Sequence, residues 1–210
     1  MSCPNSPARP PDTVVFDLGG VLIDWDPRHL YRGLFDDDAA MEAFLAEVTT
    51  PEWNAAQDAG RPWAEAVAML VERHPEQREL IEAFHHRWPE TLGGAIEGTV
   101  AVLAQLRAAG VRLLALSNWS AETFPVARER FPFLGWFEGI VISGEVGAIK
   151  PDPRIFEHLV ARYGLEPGST VFIDDNAGNV DAATRLGFLA LRFADPGALR
   201  EDLRRLGLPA

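Results

Sequence analysis

The first periodic signal along the chain is a short apolar run, Val14, Val15 and Phe16, that passes into Asp17 and a Gly19-Gly20 turn. Three consecutive apolar residues closed by glycines predict a buried strand. Asp17 then stands at the C-terminal end of that strand, where open α/β sheets place ligands and chemistry. Taken alone, Asp17 reads equally well as a turn cap, with the glycines there only to permit positive φ.

Past Asp24 the period changes from two to helical. Residues 28–35 and 38–48 form the first helices, the second with helix formers and an apolar stripe at Ala39, Ala40, Ala43, Phe44 and Ala46. A break at residues 49–51 precedes a helix over 52–59. Gly60 separates it from another that opens near Pro62 and turns Ala66, Val67, Leu70 and Val71 to one side. His74-Pro75 breaks the chain again, and residues 76–88 carry Leu80, Ile81, Phe84 and Trp88 at helical spacing.

From Gly98 onward helices alternate with strands. Helices are expected over 99–109, 121–130, 154–163, 179–186 and 196–206, and strands over 111–116, 139–143, 170–173 and 188–193, with a loop at residues 144–153. Such alternation predicts a parallel sheet covered on both faces, a three-layer Rossmann-like α/β core. The first strand is separated from the second by roughly ninety residues, where one crossover needs about a dozen. Most of that length is therefore an insertion. The expected organisation is a tail at residues 1–11 that is flexible, a core from 12–23 and 93–210, and a small helical-bundle cap over 24–92. The insertion leaves the core just after Asp17, so it can lie over the strand ends and exclude water. Trp63 and Trp88 are read as packing of this bundle. Trp53 is read as lying in an interhelical loop, free to contact substrate.

Charge narrows the chemistry. The net charge is −12, and no basic cluster interrupts it, which argues against nucleic acid as a partner. An anionic surface gives a phosphate no general attraction, so a phosphate site must be assembled locally from a cation, a lysine and backbone N–H groups. Cys3 is the one cysteine, which leaves no disulfide framework and no thiolate metal cluster. The opening segment MSCPNSPARPPD has four prolines and no apolar core, so it is not a signal peptide, and no apolar run reaches membrane-spanning length. The expected setting is cytoplasmic, without a membrane partner, as a monomer or homodimer.

Four strand ends carry polar groups in chain order: Asp17, Ser117-Asn118, Lys150 after the third strand of the core, and Asp174-Asp175. In a parallel sheet these lie along one edge. If the chain doubles back after the third strand, the first and fourth become neighbours and Asp17 faces Asp174 and Asp175. Three crowded carboxylates repel unless a cation neutralises them, and an all-oxygen set suits Mg²⁺.

The stretches FDLGGVLID, LLALSNWS, the lysine of GAIKPDP and VFIDDNAGNVDAA, spanning residues 14–181, resemble in type and order the motifs of the haloacid dehalogenase-like (HAD) hydrolase superfamily. The resemblance implies that Asp17 is a nucleophile that takes up a phosphoryl group. It implies that Ser117 holds phosphate oxygens, that Asn118 orients the substrate, and that Lys150 pairs with Asp17 and the phosphate. Asp175, Asp17 and the carbonyl of Gly19 would hold Mg²⁺ with Asp174 alongside. Asn179 stands where the superfamily often has a further acid. Gly19 is the larger departure. Most phosphatases of the superfamily have there an aspartate that protonates the leaving oxygen and then activates water. FDLGGVLID also resembles a bacterial FDLGNV-type subgroup that includes α-D-glucose-1-phosphate phosphatases.

The expectation is a Mg²⁺-dependent phosphatase acting on a small phosphorylated metabolite, a sugar phosphate among the candidates, with a preference for good leaving groups. A hydrolytic dehalogenase using Asp17 is the alternative, disfavoured because Asp174-Asp175 would repel a carboxylate substrate. A non-catalytic binding module is the third reading, motivated by Gly19.

Overall fold

The computed structural model describes residues 10–210. The predicted tail at residues 1–11 lies outside the described residues apart from Pro10 and Pro11, and Pro11 is buried. The chain forms β1 (Thr13–Phe16), β2 (Ile23–Trp25), α1 (Arg28–Tyr31), α2 (Asp38–Glu47), α3 (Pro51–Asp58), α4 (Trp63–Arg73), α5 (Arg78–His86), β3 (Leu92–Ala95), α6 (Glu97–Ala108), β4 (Arg112–Ser117), α7 (Phe124–Arg130), β5 (Gly139–Ile142), α8 (Ser143–Val146), α9 (Pro153–Tyr163), β6 (Thr170–Asp174), α10 (Ala177–Arg185), β7 (Leu189–Arg192) and α11 (Pro196–Arg205).

Five parallel strands form the core sheet in the order β5-β4-β1-β6-β7. Phe16 pairs with Ala115 of β4 on one side and with Ile173 of β6 on the other. The chain therefore runs outward from β1 through β4 to β5, crosses back, and continues through β6 to β7. The reversal falls beside Asp17, as the doubling-back argument required.

The layers follow from side-chain alternation along the strands. Val14 and Phe16 pack with Val102, Leu103 and Leu106 of α6 and with Leu199 and Leu203 of α11. Val15 faces the opposite way, with Ile155, Phe156 and Leu159 of α9 and Ala182 and Ala183 of α10. Because both faces are covered, the strands read as continuous apolar runs, and Val14, Val15 and Phe16 are each fully buried.

The helices α1 to α5 lie between β2 and β3, two strands that the sequence pattern did not reveal. They pair antiparallel, Ile23 with Ala95 and Asp24 with Gly94, with a register shift before Trp25. Each is only three or four residues long, and Leu92-Gly93-Gly94-Ala95 lacks the β-branched residues that mark strands. The glycines are used: a Cβ on Gly93 would run into the Asp24 carboxylate and the His29 ring. Both passages between the helical insertion and the sheet are thus tied to each other.

Inside the insertion, the Tyr31 ring centroid lies 5.0 Å from Phe44 and 5.9 Å from Phe84. Trp63 stacks on His85 at 5.2 Å with planes 6° apart. Hydrogen bonds involving Ser120, Glu122 and Ser143 help to dock this bundle on the core. The Trp63 indole donates to Ser120 Oγ (3.2 Å), the Trp63 backbone N–H donates to Glu122 Oε1 (3.0 Å), and Ser143 Oγ donates to the carbonyl of Asp58 (2.6 Å).

Three local expectations change. Trp53 lies in the first turn of α3 and not in a loop, because Thr50 caps that helix by accepting from the Trp53 N–H (3.1 Å) and Pro51 sits at its first position. The helix expected over 28–35 is regular only as far as Tyr31 before continuing in single turns. The loop expected at 144–153 opens with the one-turn α8. Among the described residues no helix is long and apolar enough to cross a membrane.

Candidate active site

Asp17, Ser117, Lys150 and Asp174 converge at the C-terminal edge of β1, β4 and β6. Asp17 continues β1, and its N–H donates to the Ile173 carbonyl (2.8 Å). Its Oδ1 accepts from the Leu18 N–H (2.7 Å) and from Ser117 Oγ (2.8 Å), while its Oδ2 lies 2.9 Å from Lys150 Nζ. The carboxylate is 7% exposed and fixed on both oxygens.

The Lys150 ammonium is fully buried and donates to Asp17 Oδ2, to Asp174 Oδ2 (2.6 Å) and to the Leu116 carbonyl (2.9 Å). Burial alone would push it toward neutrality, but the two carboxylates outweigh burial and raise its pKa, so it stays charged. Burial raises Asp17 to about 7, against the pull of Lys150, and Asp174 adds to the rise. Asp175 is raised by burial and then by Asp174. The site holds more negative charge than one lysine settles.

Asn118 holds the main chain of Lys150. Its Oδ1 accepts from the Lys150 N–H (2.8 Å) and its Nδ2 donates to the Lys150 carbonyl (2.9 Å). Both side-chain atoms grip the lysine's own peptide groups, which makes Asn118 a positioning residue for Lys150. Asn179, buried behind the acids, donates to both oxygens of Asp174 (3.0 and 3.1 Å), and the Asn176 N–H donates to Oδ1 (2.9 Å). Asp174 is thereby saturated by protein donors.

One carboxylate oxygen from each of Asp17, Asp174 and Asp175 falls within a 4.8 Å cluster. Hard oxygen donors at that separation fit a divalent cation such as Mg²⁺. With Asp174 engaged, Asp175 and the Oδ2 of Asp17, whose one protein donor is Lys150, are the oxygens with room for a cation. The two glycines of the turn have different reasons to be glycine. Gly20 has φ +73°, and a Cβ there would lie 2.5 Å from Asp175 Oδ2, so the Asp175 carboxylate leaves no room for a side chain. Gly19 has no positive φ, and a Cβ there would meet nothing within 4 Å. The backbone tolerates a side chain at Gly19; the chain has none.

Above this edge lies a cavity of about 60 Å³, walled by Gly19 and Asn118 from the core edge, by Trp119 and Thr123 after β4, and by Trp25, Asn54, Asp58 and Trp88 from the helical side. Trp53 does not line it. Its ring packs 5.6 Å from both Trp63 and Phe84, and its indole N–H is directed to the Ala66 carbonyl (3.4 Å). Trp88 is 3% exposed and serves as core and cavity wall together. The indole nitrogen of Trp119 is buried with no protein partner.

Asp58 was not singled out from the sequence. Burial raises its carboxyl to about 7, opposed by the Ser120 N–H. A signal existed: an aspartate in the last turn of a helix faces the negative end of the dipole, where an acid is disfavoured.

The family of haloacid dehalogenase-like hydrolases matches residues 11–187. The chain is 26% identical to a sesquiterpene phosphatase of Aspergillus oryzae over 192 residues, 91% of this chain and 94% of that one. It is 32% identical to a phosphoserine phosphatase of Thermus thermophilus over 175 residues, 78% of this chain and 67% of that one. The fold is similar to that of a HAD family enzyme of Bacteroides thetaiotaomicron crystallised with magnesium and inorganic phosphate, with a TM-score of 0.68 and 22% identity, covering 88% of this chain and 94% of that one.

Proposed function

The chain belongs to the haloacid dehalogenase-like hydrolase family, and from that premise and the geometry of the site we propose that it is a Mg²⁺-dependent phosphatase of a small phosphorylated metabolite, with sugar phosphates among the candidate substrates. The observation that carries this reading is the arrangement of Asp17: a carboxylate held on one oxygen by Ser117 and the Leu18 N–H and on the other by a buried lysine, beside two further acids.

An Asp17 oxygen attacks phosphorus, forming an aspartyl-phosphate as the bond to the leaving oxygen breaks. Water then attacks phosphorus, the bond to Asp17 breaks, and inorganic phosphate leaves with the carboxylate restored. Lys150 stays protonated throughout and offsets charge that develops on the transferring oxygens. Asn118 fixes the lysine's main chain so that its ammonium cannot withdraw. Ser117 orients the Asp17 carboxylate with its single hydroxyl proton, and the same hydroxyl switches to a phosphate oxygen once Asp17 carries the phosphoryl group. Asp17, Asp175 and the Gly19 carbonyl would hold the cation, with Asp174 behind them. When bound, Mg²⁺ supplies positive charge that keeps Asp17 ionised and neutralises phosphate oxygens.

The helical insertion over 24–92 acts as the cap. The cavity beneath it has room for about four to six waters, so a substrate much larger than its phosphoryl group requires the insertion to shift. Phosphate release from sugar phosphates, phosphoserine and nucleotides, with Mg²⁺ or EDTA, tests the function. Turnover of at least one class with Mg²⁺, lost in EDTA and lost in Asp17→Asn, is the expected result. Turnover in Asp17→Asn within about tenfold of wild type, a barrier change of only about 1.4 kcal/mol, would refute the nucleophile.

A further inference from the structure

An acid is needed near Gly19, and the helical insertion brings one there. The cavity that Gly19 and Asn118 line from the core edge is walled on the other side by Asp58, at the end of α3. Among the residues of that wall, Asp58 alone carries an acid that can give up a proton near neutral pH. Its position is fixed. Asn54 Nδ2 donates to Oδ2 (3.2 Å), and its own carbonyl accepts from Ser143 Oγ, which ties the end of α3 to the end of β5.

We propose that Asp58 is the general acid that Gly19 cannot be, protonating the leaving oxygen in the first half-reaction and accepting a proton from water in the second. The assignment rests on the phosphatase reading above. As the Asp17 oxygen bonds to phosphorus and the phosphorus–oxygen bond to the leaving group breaks, the Asp58 proton passes to the departing oxygen, giving a neutral alcohol and the Asp58 carboxylate. In hydrolysis that carboxylate takes a proton from the water whose oxygen bonds to phosphorus, as the bond to Asp17 breaks. The acid is restored and protons balance over the cycle.

The protonation state suits the role. Burial holds the Asp58 carboxyl at about 7, opposed by the Ser120 N–H alone, and a general acid works best near the operating pH. Charged groups on the segments packed around α3 do not set this. Arg61 is spent on the Gln57 side chain and the Trp53 carbonyl, Glu122 accepts from the Trp63 N–H, and Glu145 lies in α8; none of the three moves Asp58.

The test compares Asp58→Asn with wild type, both loaded with Mg²⁺, on glycerol phosphate, whose leaving group is a poor alkoxide, and on 2,4-dinitrophenyl phosphate, whose leaving group needs no proton. General acid catalysis contributes about 10²–10⁴-fold, so kcat/KM on glycerol phosphate should fall by that factor while the loss on the dinitrophenyl ester stays under about tenfold. The fall in wild-type kcat/KM on glycerol phosphate above pH 7 should vanish in Asp58→Asn, and Asp58→Glu should recover part of the loss. An equal loss on both substrates, or a basic limb unchanged in Asp58→Asn, overturns the assignment and makes Asp58 a cavity-shaping residue. Wild-type protein that releases phosphate from neither ester overturns the phosphatase reading, and the role of Asp58 with it.

Discussion

Replacing Lys150 by Met keeps an apolar stem of similar length and removes the charge that Asp17 and Asp174 share. The wild-type ammonium satisfies three acceptors while itself fully buried, so the variant leaves a carboxylate pair facing each other without a counter-ion. Removing one partner of a buried ion pair costs about 3–5 kcal/mol, a large part of the roughly 5–15 kcal/mol that holds a domain together. For a chain of this size each kcal/mol shifts the melting temperature by about 2–4 °C, so a drop of roughly 6–20 °C is expected in EDTA. The loss should depend on pH. Asp17 is raised by burial to about 7 from a reference value of 3.8, with Lys150 pulling the other way. A raised carboxyl lends stability that is complete below its unfolded value and disappears as pH climbs through its folded value. Without the lysine the folded value moves higher still, so the variant keeps losing about 1.4 kcal/mol per pH unit above pH 7, where the wild-type contribution of Asp17 levels off. Thermal denaturation in EDTA at pH 5.5 and pH 8 reads this directly. A variant within 2 °C of wild type at pH 8, or equally impaired at both pH values, would mean that the lysine does not hold the acids together.

Mg²⁺ should raise the melting temperature in a thermal-shift titration, since it relieves repulsion present only in the folded state, and Asp175→Ala should abolish the rise; an unchanged melting temperature at millimolar Mg²⁺ would remove the metal from this site. Trp53→Ala should cost about 3–5 kcal/mol by denaturant unfolding without reordering substrates, because the indole packs between Trp63 and Phe84 and is absent from the cavity wall. A variant of near wild-type stability with an altered substrate ranking would restore Trp53 to the substrate side. Gly19→Asp should fold with its melting temperature within a few degrees of wild type, since a Cβ there meets open space. In the Asp58→Asn background it should recover at least tenfold of the lost glycerol phosphate turnover, and no recovery would mean that an acid at that position does not reach the leaving oxygen.

The edge of the sheet was legible because its residues announce themselves locally. Each of Asp17, Ser117 and Asp174 closes an apolar strand, Lys150 follows the remaining one in a loop, and a parallel sheet with one reversal has few ways to arrange four such ends. The burial of Lys150 was not legible, since a lysine in a loop carries no mark of it until its partners are seen. What stayed hidden depended on contacts distant in sequence. The β2–β3 ribbon joins residues some seventy positions apart through a segment that contains Gly93 and Gly94, and no period of two can show in three or four residues. The grip of Asn118 on the Lys150 peptide was hidden because the two lie 32 residues apart. Trp53 was misplaced for a simpler reason, a Thr50-Pro51 helix start read as a loop.

Gly19 and Gly20 look alike as a dipeptide, yet one is glycine because Asp175 leaves no room for a side chain and the other stands in open space. The missing acid is therefore no consequence of backbone strain, and its loss has a mechanistic meaning. An acid at Gly19 would be fixed to the core and always in place beside Asp17. Asp58 belongs to α3, and it reaches the same cavity only while the insertion is docked through Ser143 on the Asp58 carbonyl and through Ser120 and Glu122 on Trp63. Moving the proton donor from the core to the insertion makes protonation of the leaving group conditional on closure. An open site then holds the nucleophile, the lysine and the metal acids but lacks the donor, so transfer to a poor leaving group waits until water has been excluded.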